Sequence, residues 1–297
     1  MMDGVSLDQI RTFIAAADAG SFSAAGRRLG RAQSVVSQTM ANLEAQLGVT
    51  LFDRSRRSPV LTAIGQALLA DARVAVDGVD QFKARARGLA GGLEAELSIV
   101  VDVLFPIDVL TSAVSALRDA FPGMPLRLYV EALGAVIAPV LDGRCTLAVV
   151  GSLPILPPGL SREALLSVEM GMFAAPTHPL GRLSGPVPLE TLAQHVQLVL
   201  TDRTAMTQGR EFGVFSAQTW RLADLGAKHA FLRSGLGWGS LPLGVAAADV
   251  ARGALVELVI AEAPTHGYRL PMSALYPADK PPGPAGRWLI ERLKGSR

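Results

Sequence analysis

Cysteine is almost missing: Cys145 is the only one in 297 residues. A lone cysteine excludes an intrachain disulfide and fits a reducing cytoplasm. Charge is also sparse, with 18% charged residues and a net charge of +2, so any attraction to an acidic partner has to come from local clusters. Hydrophobic residues make up 49%, yet no apolar run reaches the ~18 residues of a membrane span. The longest candidate, 97–110, is broken by Asp102, Pro106 and Asp108. The first eleven residues carry an early acid, Asp3, and no apolar core, so a signal peptide is not expected. Catalytic patterns are absent as well. The four histidines (His178, His195, His229, His266) share no metal-ligand spacing, and no G-x-S-x-G elbow occurs. The run Gly235–Gly239 lacks the third glycine of a dinucleotide fingerprint and follows a helical pattern, not a strand. The expectation is a protein without enzymatic activity, cofactor, metal or membrane contact. No internal repeat or low-complexity segment is visible.

What is there begins with an asymmetry. Residues 1–92 hold 11 basic against 8 acidic side chains, whereas residues 93–297 hold 17 against 18. The small basic excess accompanies the stretch from Ser21 to Thr62, which reads as two short helices joined at Gly30 and followed by a basic hairpin. Ser23 can cap the first helix, whose Ala24, Ala25 and Leu29 are small enough for close packing. In the second helix Val36, Met40, Leu43 and Leu47 fall on one face. The opposite face collects Ser34, Ser37, Gln38 and Asn42, with Gln33 at the helix start and no carboxylate before Glu44. Short hydrogen-bonding side chains of this kind suit base edges in a major groove. Arg54, Arg56 and Arg57 crowd the hairpin tip.

Ser21-Phe22, Ala25, Leu29, Gln33, Val36-Ser37, Leu43-Glu44, Leu47-Gly48-Val49, Leu51-Phe52, Arg54, Arg57 and Leu61-Thr62 resemble, in order and without gaps, the DNA-binding domain of LysR-type transcriptional regulators. The resemblance implies a winged helix-turn-helix, a long dimerising helix and a two-lobed α/β effector domain similar to type 2 periplasmic binding proteins. It also implies that Gln33, Ser34, Ser37, Gln38 and Asn42 face double-stranded DNA, with Arg31, Arg54 and Arg57 at the backbone. Two departures stand out. Ala32 occupies a cap position that relatives fill with Ser or Thr, at a cost of about 1 kcal/mol. Ala41 and Asn42 replace frequent arginines, leaving a lightly charged reader.

From Thr62 a helix is predicted to about Ala90, stopped by Gly91-Gly92. Leu68, Ala72, Ala75, Val79, Phe82, Ala86 and Leu89 repeat at heptad spacing along ~45 Å of rod, so this helix needs a partner. The family reading is a second copy, giving a homodimer or homotetramer on an interrupted palindrome. Beyond it, strands Leu97–Val103, Leu126–Val130 and Leu147–Val150 alternate with helices, which implies a parallel sheet. Glu169–Ala175 carries the chain to a second lobe containing strand Val196–Leu200, helix Asp224–Ser234, strand Trp238–Leu241, helix Val245–Arg252 and strand Leu255–Val259. Tyr268–Tyr276 returns to the first lobe, closed by helix Ala285–Lys294. The expected domains are 1–62 for DNA, 63–92 for the linker helix and 93–297 for the effector. The effector domain divides into lobe I (93–166 and 271–297) and lobe II (167–270).

Ligands of parallel α/β sheets collect beyond the carboxyl ends of strands. That rule points to 102–105, 131–133, Gly151-Ser152 and 201–204, and the resemblance implies effector contacts from the first and last of these. The candidates are Asp102, Leu104, Phe105, Leu133, Thr201 and Arg203. Relatives usually carry Ser or Thr near 102 or 104, and Asp102 and Leu104 depart from that; this weakens the expectation of a simple anionic effector, although Arg203 could still pair a carboxylate. Asp102 has a plainer reading as the cap of the helix at Ile107, and Asp202–Arg203 as a local ion pair. Cys145 lies in an apolar setting and reads as buried and inert. The reading that results is a ligand-responsive, cytoplasmic DNA-binding regulator. Its alternative is a small-molecule solute-binding module without DNA binding, whose N-terminal helices serve assembly alone.

Overall fold

The computed structural model describes residues 4–55, 59–151, 157–201, 203–204, 213–262 and 268–295. The chain divides into two compact units, 1–90 and 91–297.

In the first unit, α1 (Leu7–Ala19) starts on a capping box: Ser6 Oγ accepts the Gln9 N–H, and the Gln9 side chain accepts the Ser6 N–H. Helix α2 (Phe22–Leu29) is capped by Ser21, whose hydroxyl accepts from Ala24 N at 3.2 Å. This corrects the expectation for Ser23, which already lies inside the first turn and accepts from Arg27 instead. Between α2 and α3 (Gln33–Leu47) the chains approach so closely that a Cβ at Gly26 would stand 2.6 Å from the Arg31 carbonyl oxygen. Val36, Met40 and Leu43 bury the inner face of α3 almost completely, with Leu47 at its margin. Phe52 packs edge-on against both Phe13 and Phe22, at centroid distances of 5.7 and 5.2 Å.

The hairpin pairs β1 (Phe52–Asp53) with β2 (Val60–Leu61). One side chain fixes it to α3. Glu44 Oε1 accepts the Leu51 and Phe52 N–H groups at 2.8 and 3.0 Å, and its Oε2 accepts from Arg54 at 2.7 Å. Helix α4 (Ala63–Ala90) is capped by Thr62, whose hydroxyl accepts from Gly65 N, as expected. It packs on α1 through Leu69 and Ala72 in its first half and is tied to α1 by ion pairs Arg73–Asp18 and, past its midpoint, Arg11–Asp80. Further along, the heptad positions Phe82 and Leu89 are exposed, Phe82 by 72%.

The second unit is built on a nine-stranded sheet in the order β4 (Leu126–Glu131), β3 (Leu97–Asp102), β5 (Leu147–Val150), β11 (Tyr268–Pro277), β6 (Leu160–Ala174), β9 (Trp238–Pro242), β7 (Gln197–Leu200) and β8 (Thr219–Leu222), with β10 (Val256–Leu258) on β6. In the first lobe β3 (Leu97–Asp102) runs parallel to β4 (Leu126–Glu131) and β5 (Leu147–Val150), as the alternation predicts. Helix α5 (Ile107–Ala120) covers one face of this sheet and α6 (Ala138–Leu141), after a 3₁₀ turn at Leu133–Val136, covers the other. Both faces of β3 are therefore buried, which is why it is mostly apolar and shows no alternation. Strand β6 (Leu160–Ala174) is longer than the crossing segment expected at Glu169–Ala175.

In the second lobe α7 (Leu189–Ala193) leads to β7 (Gln197–Leu200) and β8 (Thr219–Leu222), and α8 (Leu225–Arg233) to β9 (Trp238–Pro242). Helix α9 (Leu243–Ala251) and β10 (Val256–Leu258) follow. Strand β11 (Tyr268–Pro277) then runs antiparallel to β6 and to β5, and α10 (Pro284–Lys294) closes the first lobe. The sequence did not announce α7 or β8, because α7 is five residues long and β8 exposes its two central residues. Among the described residues no helix is long and apolar enough to cross a membrane.

Glu44→Ala strips two buried N–H groups of their acceptor and frees Arg54. It should cost about 3 kcal/mol, read by urea unfolding of the full chain followed by circular dichroism. A loss below ~1 kcal/mol would mean that water replaces the carboxylate.

Candidate nucleic-acid interface and effector cleft

The outer face of α3 carries no structural duty. Gln33, Ser34, Gln38 and Asn42 are exposed and Ser37 is half-buried, all on the side away from Val36, Met40 and Leu43. The Gln38 amide donates to Asn42 Oδ1 at 2.9 Å, so these two side chains hold one another in register. The cap is as weak as Ala32 implies, with no side-chain hydrogen bond at the start of α3. Two of the candidate backbone contacts are already engaged. Arg31 forks onto Asp8, with both amino groups 2.7–2.8 Å from the carboxylate, and this holds the Asp8 carboxyl below its ordinary range. Arg54 sits between Glu44 and the face of the Phe22 ring, 5.4 Å from its centroid. Arg57 lies outside the described residues. The sequence reading missed Asp8 and Glu44 as the groups that aim these arginines. In Glu44 a signal existed, since it is the first carboxylate on an otherwise uncharged stretch of helix.

In the second unit the carboxyl ends of β3, β4 and β5 come together as expected. Asp102 is buried, with Oδ1 accepting from Leu104 N at 2.9 Å and Oδ2 from Gly151 N at 3.4 Å. Burial pushes its carboxyl up to about 6, against the pull of those two backbone donors. It does not cap α5: Pro106 occupies the cap position without any side-chain bond, and Asp102 turns back to hold its own loop. That loop is the contact between the lobes. Leu104 packs against both the first-lobe core and the second-lobe cluster of Phe173, Leu198, Leu225 and Leu241, and Val103 joins it on the second lobe. Phe105 is buried in the first-lobe core.

Leu133 adopts φ 50°, the only left-handed non-glycine among the described residues, beside the end of β4. A leucine held there stores strain, which proteins tolerate mainly where function requires it. Thr201 extends β7 by donating its N–H to the Leu222 carbonyl at 2.9 Å, and Arg203 is exposed in the following bend. Ser152 and Asp202 lie outside the described residues, so the proposed Asp202–Arg203 pair does too. Among the described residues no group of three or more His, Cys, Asp or Glu side chains could hold a metal ion. Cys145 is buried, and burial pushes its thiol up to about 11, the opposite of an activated thiolate.

A helix pair with an exposed polar face, a wing pinned to it, and a two-lobed domain with a buried acid beside the loop where its lobes meet form one combination. Residues 7–66 match the family described as bacterial regulatory helix-turn-helix protein, lysR family, and residues 90–296 match the LysR substrate binding domain. The chain is 31% identical to the HTH-type transcriptional regulator AceR of Acinetobacter baumannii, an alignment covering 80% of this chain and 79% of that protein. It is likewise 31% identical to a probable hydrogen peroxide-inducible genes activator of Mycobacterium leprae, over 88% of this chain and 85% of that protein. Full-length CbnR complexed with its target DNA has the same fold at 24% identity, with a TM-score of 0.50 over 98% of this chain and all of that one. The oxidized form of Corynebacterium glutamicum OxyR matches at 22% identity and a TM-score of 0.50, over 97% of this chain and 90% of that one. The chain belongs to the LysR family of DNA-binding transcriptional regulators.

Proposed function

We propose that this protein is a cytoplasmic regulator that binds an interrupted palindrome as a homo-oligomer and responds to a small molecule held between the lobes of its effector domain. It acts by binding and does no chemistry of its own. Residues 1–62 form the reader, 63–92 the dimerising helix and 93–297 the effector domain, with lobe I at 93–166 and 271–297 and lobe II between. One observation carries the reading: α3 buries one face and leaves a row of uncharged hydrogen-bonding side chains on the other. Gln33, Ser34, Ser37 and Gln38 read base edges, and Asn42 steadies Gln38. Arg31, Arg54 and Arg57 contact phosphates. A guanidinium carries five N–H donors, so Arg31 and Arg54 keep donors for phosphate while still bound to Asp8 and Glu44. The structurally similar CbnR has been solved on its target DNA, which supports this use of the helix.

The exposed apolar positions of α4 support pairing, because Phe82 and Leu89 have aqueous surroundings in a single chain. A second copy covers them and brings two readers to one DNA face, a geometry that favours palindromic half-sites. In the effector domain, Asp102, Leu104, Phe105, Leu133, Thr201 and Arg203 surround the cleft in this proposal. Asp102 and Leu104 hold the loop that touches both lobes, Phe105 backs it from the core, and the remaining three border the opening.

A salt-dependent gel shift on the chain's own upstream region tests the function. Binding is expected to weaken steeply with salt, and its complete absence would favour a solute-binding module. Gln33→Ala should cost about 1–3 kcal/mol of specific binding with non-specific binding little changed, whereas Arg57→Ala should weaken both and flatten the salt dependence. Equal losses in both variants on all sequences would sink this division of roles.

Asp102 gives a pH prediction. Its folded value of about 6 lies above the unfolded ~3.9, so the folded state holds the proton more tightly. The ionisation penalty is absent below pH ~4, grows between about 4 and 6 and is complete above that, reaching up to ~3 kcal/mol. Thermal melts of Asp102→Asn against the parent should diverge in the variant's favour as pH rises through that window. A difference independent of pH would overturn the burial argument.

A further inference from the structure

Helix α8 carries an anomaly. Its three buried residues are Leu225, Lys228 and Leu232, spaced to form one stripe, so a lysine occupies the middle of an apolar seam. Lys228 is 2% exposed, and its one hydrogen bond among the described residues goes from Nζ to Ser240 Oγ at 3.2 Å. No carboxylate pairs with it there. Desolvation alone pulls its ammonium down to about 8. The fold makes room for it: a Cβ at Gly239 would stand 3.3 Å from Lys228 Cε and 2.5 Å from the Leu198 carbonyl oxygen. An unpaired buried ammonium is costly, and a leucine would fill this seam without that cost.

The place of Lys228 suggests its use. It is the fourth residue of α8, within the first turns of a helix that starts from the carboxyl end of β8. Counting forward from the Gln197–Trp238 pair puts Ser240 level with Val199, one residue short of the end of β7 at Leu200. The ammonium therefore lies just under the cleft side of lobe II. Its neighbours Leu225 and Leu232 belong to the cluster against which Val103 and Leu104 pack, and Asp102 holds that same loop from lobe I. Asp102 is itself a buried acid, and among the described residues its partners are two backbone donors and no cation. Two buried groups of opposite sign thus flank one lobe contact, and neither pairs with the other. Ser240 is half-buried, so a ligand oxygen that reaches its hydroxyl is one hydrogen bond from the ammonium.

We propose that the effector is a zwitterion of the amino-acid class, its carboxylate taken by Lys228 and Ser240 of lobe II and its ammonium by Asp102 of lobe I. The ligand supplies both missing counter-charges and can be bound fully only when the lobes close on it. This inference rests on the cleft reading above and narrows it from any small molecule to one charge pattern.

The test is a thermal-shift screen of the full chain with the twenty protein amino acids, together with the decarboxylated amine and the deaminated acid of each. Titration calorimetry on any amino acid that stabilises the protein follows. The expected result is a shift from at least one amino acid, with its amine and its acid binding roughly 10- to 100-fold more weakly. Lys228→Met should weaken the amino acid by a similar factor while melting at or above the parent temperature, and Asp102→Asn should weaken it by about tenfold. Should Lys228→Met not fold, Ser240→Ala reads the same carboxylate contact, with an expected loss of several-fold. An acid or amine that binds as tightly as the zwitterion, or a zwitterion whose affinity survives both Lys228→Met and Asp102→Asn, overturns the proposal. A stabilising ligand outside the amino-acid class whose binding is abolished by Leu104→Arg would overturn the zwitterion and leave the cleft standing. No shift from the amino acids, their amines or their acids overturns the zwitterion, and a ligand of another class indifferent to Leu104→Arg overturns the cleft as well.

Discussion

The antiparallel pairing of β6 with β11 is the constraint on which the effector unit depends. From Leu160–Pro277 to Met170–Tyr268 the two strands stay hydrogen-bonded, with a single register shift between Pro271 and Ser273. One side of this ribbon carries β5 and the first lobe through β11. The other carries β9 and β10, and so the second lobe, through β6. Backbone bonds thus join the lobes, while side chains supply their apolar contact at Val103 and Leu104. A ribbon resists stretching but permits bending and twist, especially at an irregular register. That register shift is the irregular point of the ribbon, and on either side of it each lobe keeps its own packed cores.

The reader depends on a different economy. Charge is scarce, and the acids of this unit are used to place its arginines. Glu44 terminates two backbone N–H groups of the wing and orients Arg54, so one carboxylate sets both the position of the hairpin and the direction of its cation. From α1, Asp8 orients Arg31 through both carboxylate oxygens. Arginines arranged in this way are pre-oriented, so in the proposed reading less side-chain entropy is lost when they meet a phosphate.

Much of this was legible in the sequence because the signals were periodic or positional. The α3 stripe, helix α5 from Ile107 to Ala120 and strand β5 from Leu147 to Val150 fall where the patterns place them. What failed did so for physical reasons. Ser21 and Ser23 are both capping residues, and only the extended backbone at Ser21 decides between them. Strand β8 offers no alternation, since its outer position leaves the central Trp220 and Arg221 to solvent. Asp102 as a helix cap was plausible from spacing, but Pro106 took the cap position and the carboxylate turned to Leu104 and Gly151. Lys228 was invisible, because a lysine in an amphipathic helix is assigned to the wet face unless the missing side chain of Gly239 is seen beneath it.

The exposed end of α4 has a consequence for how the protein behaves in dilute solution. Its first half leans on α1, but the turns that carry Phe82 and Leu89 gain little from the rest of their own unit. A helical segment of that length is marginal in water by itself. With the second copy proposed above, its persistence becomes a matter of mass action: the covered rod holds its full length at high protein concentration, and these last turns are the first to fray on dilution.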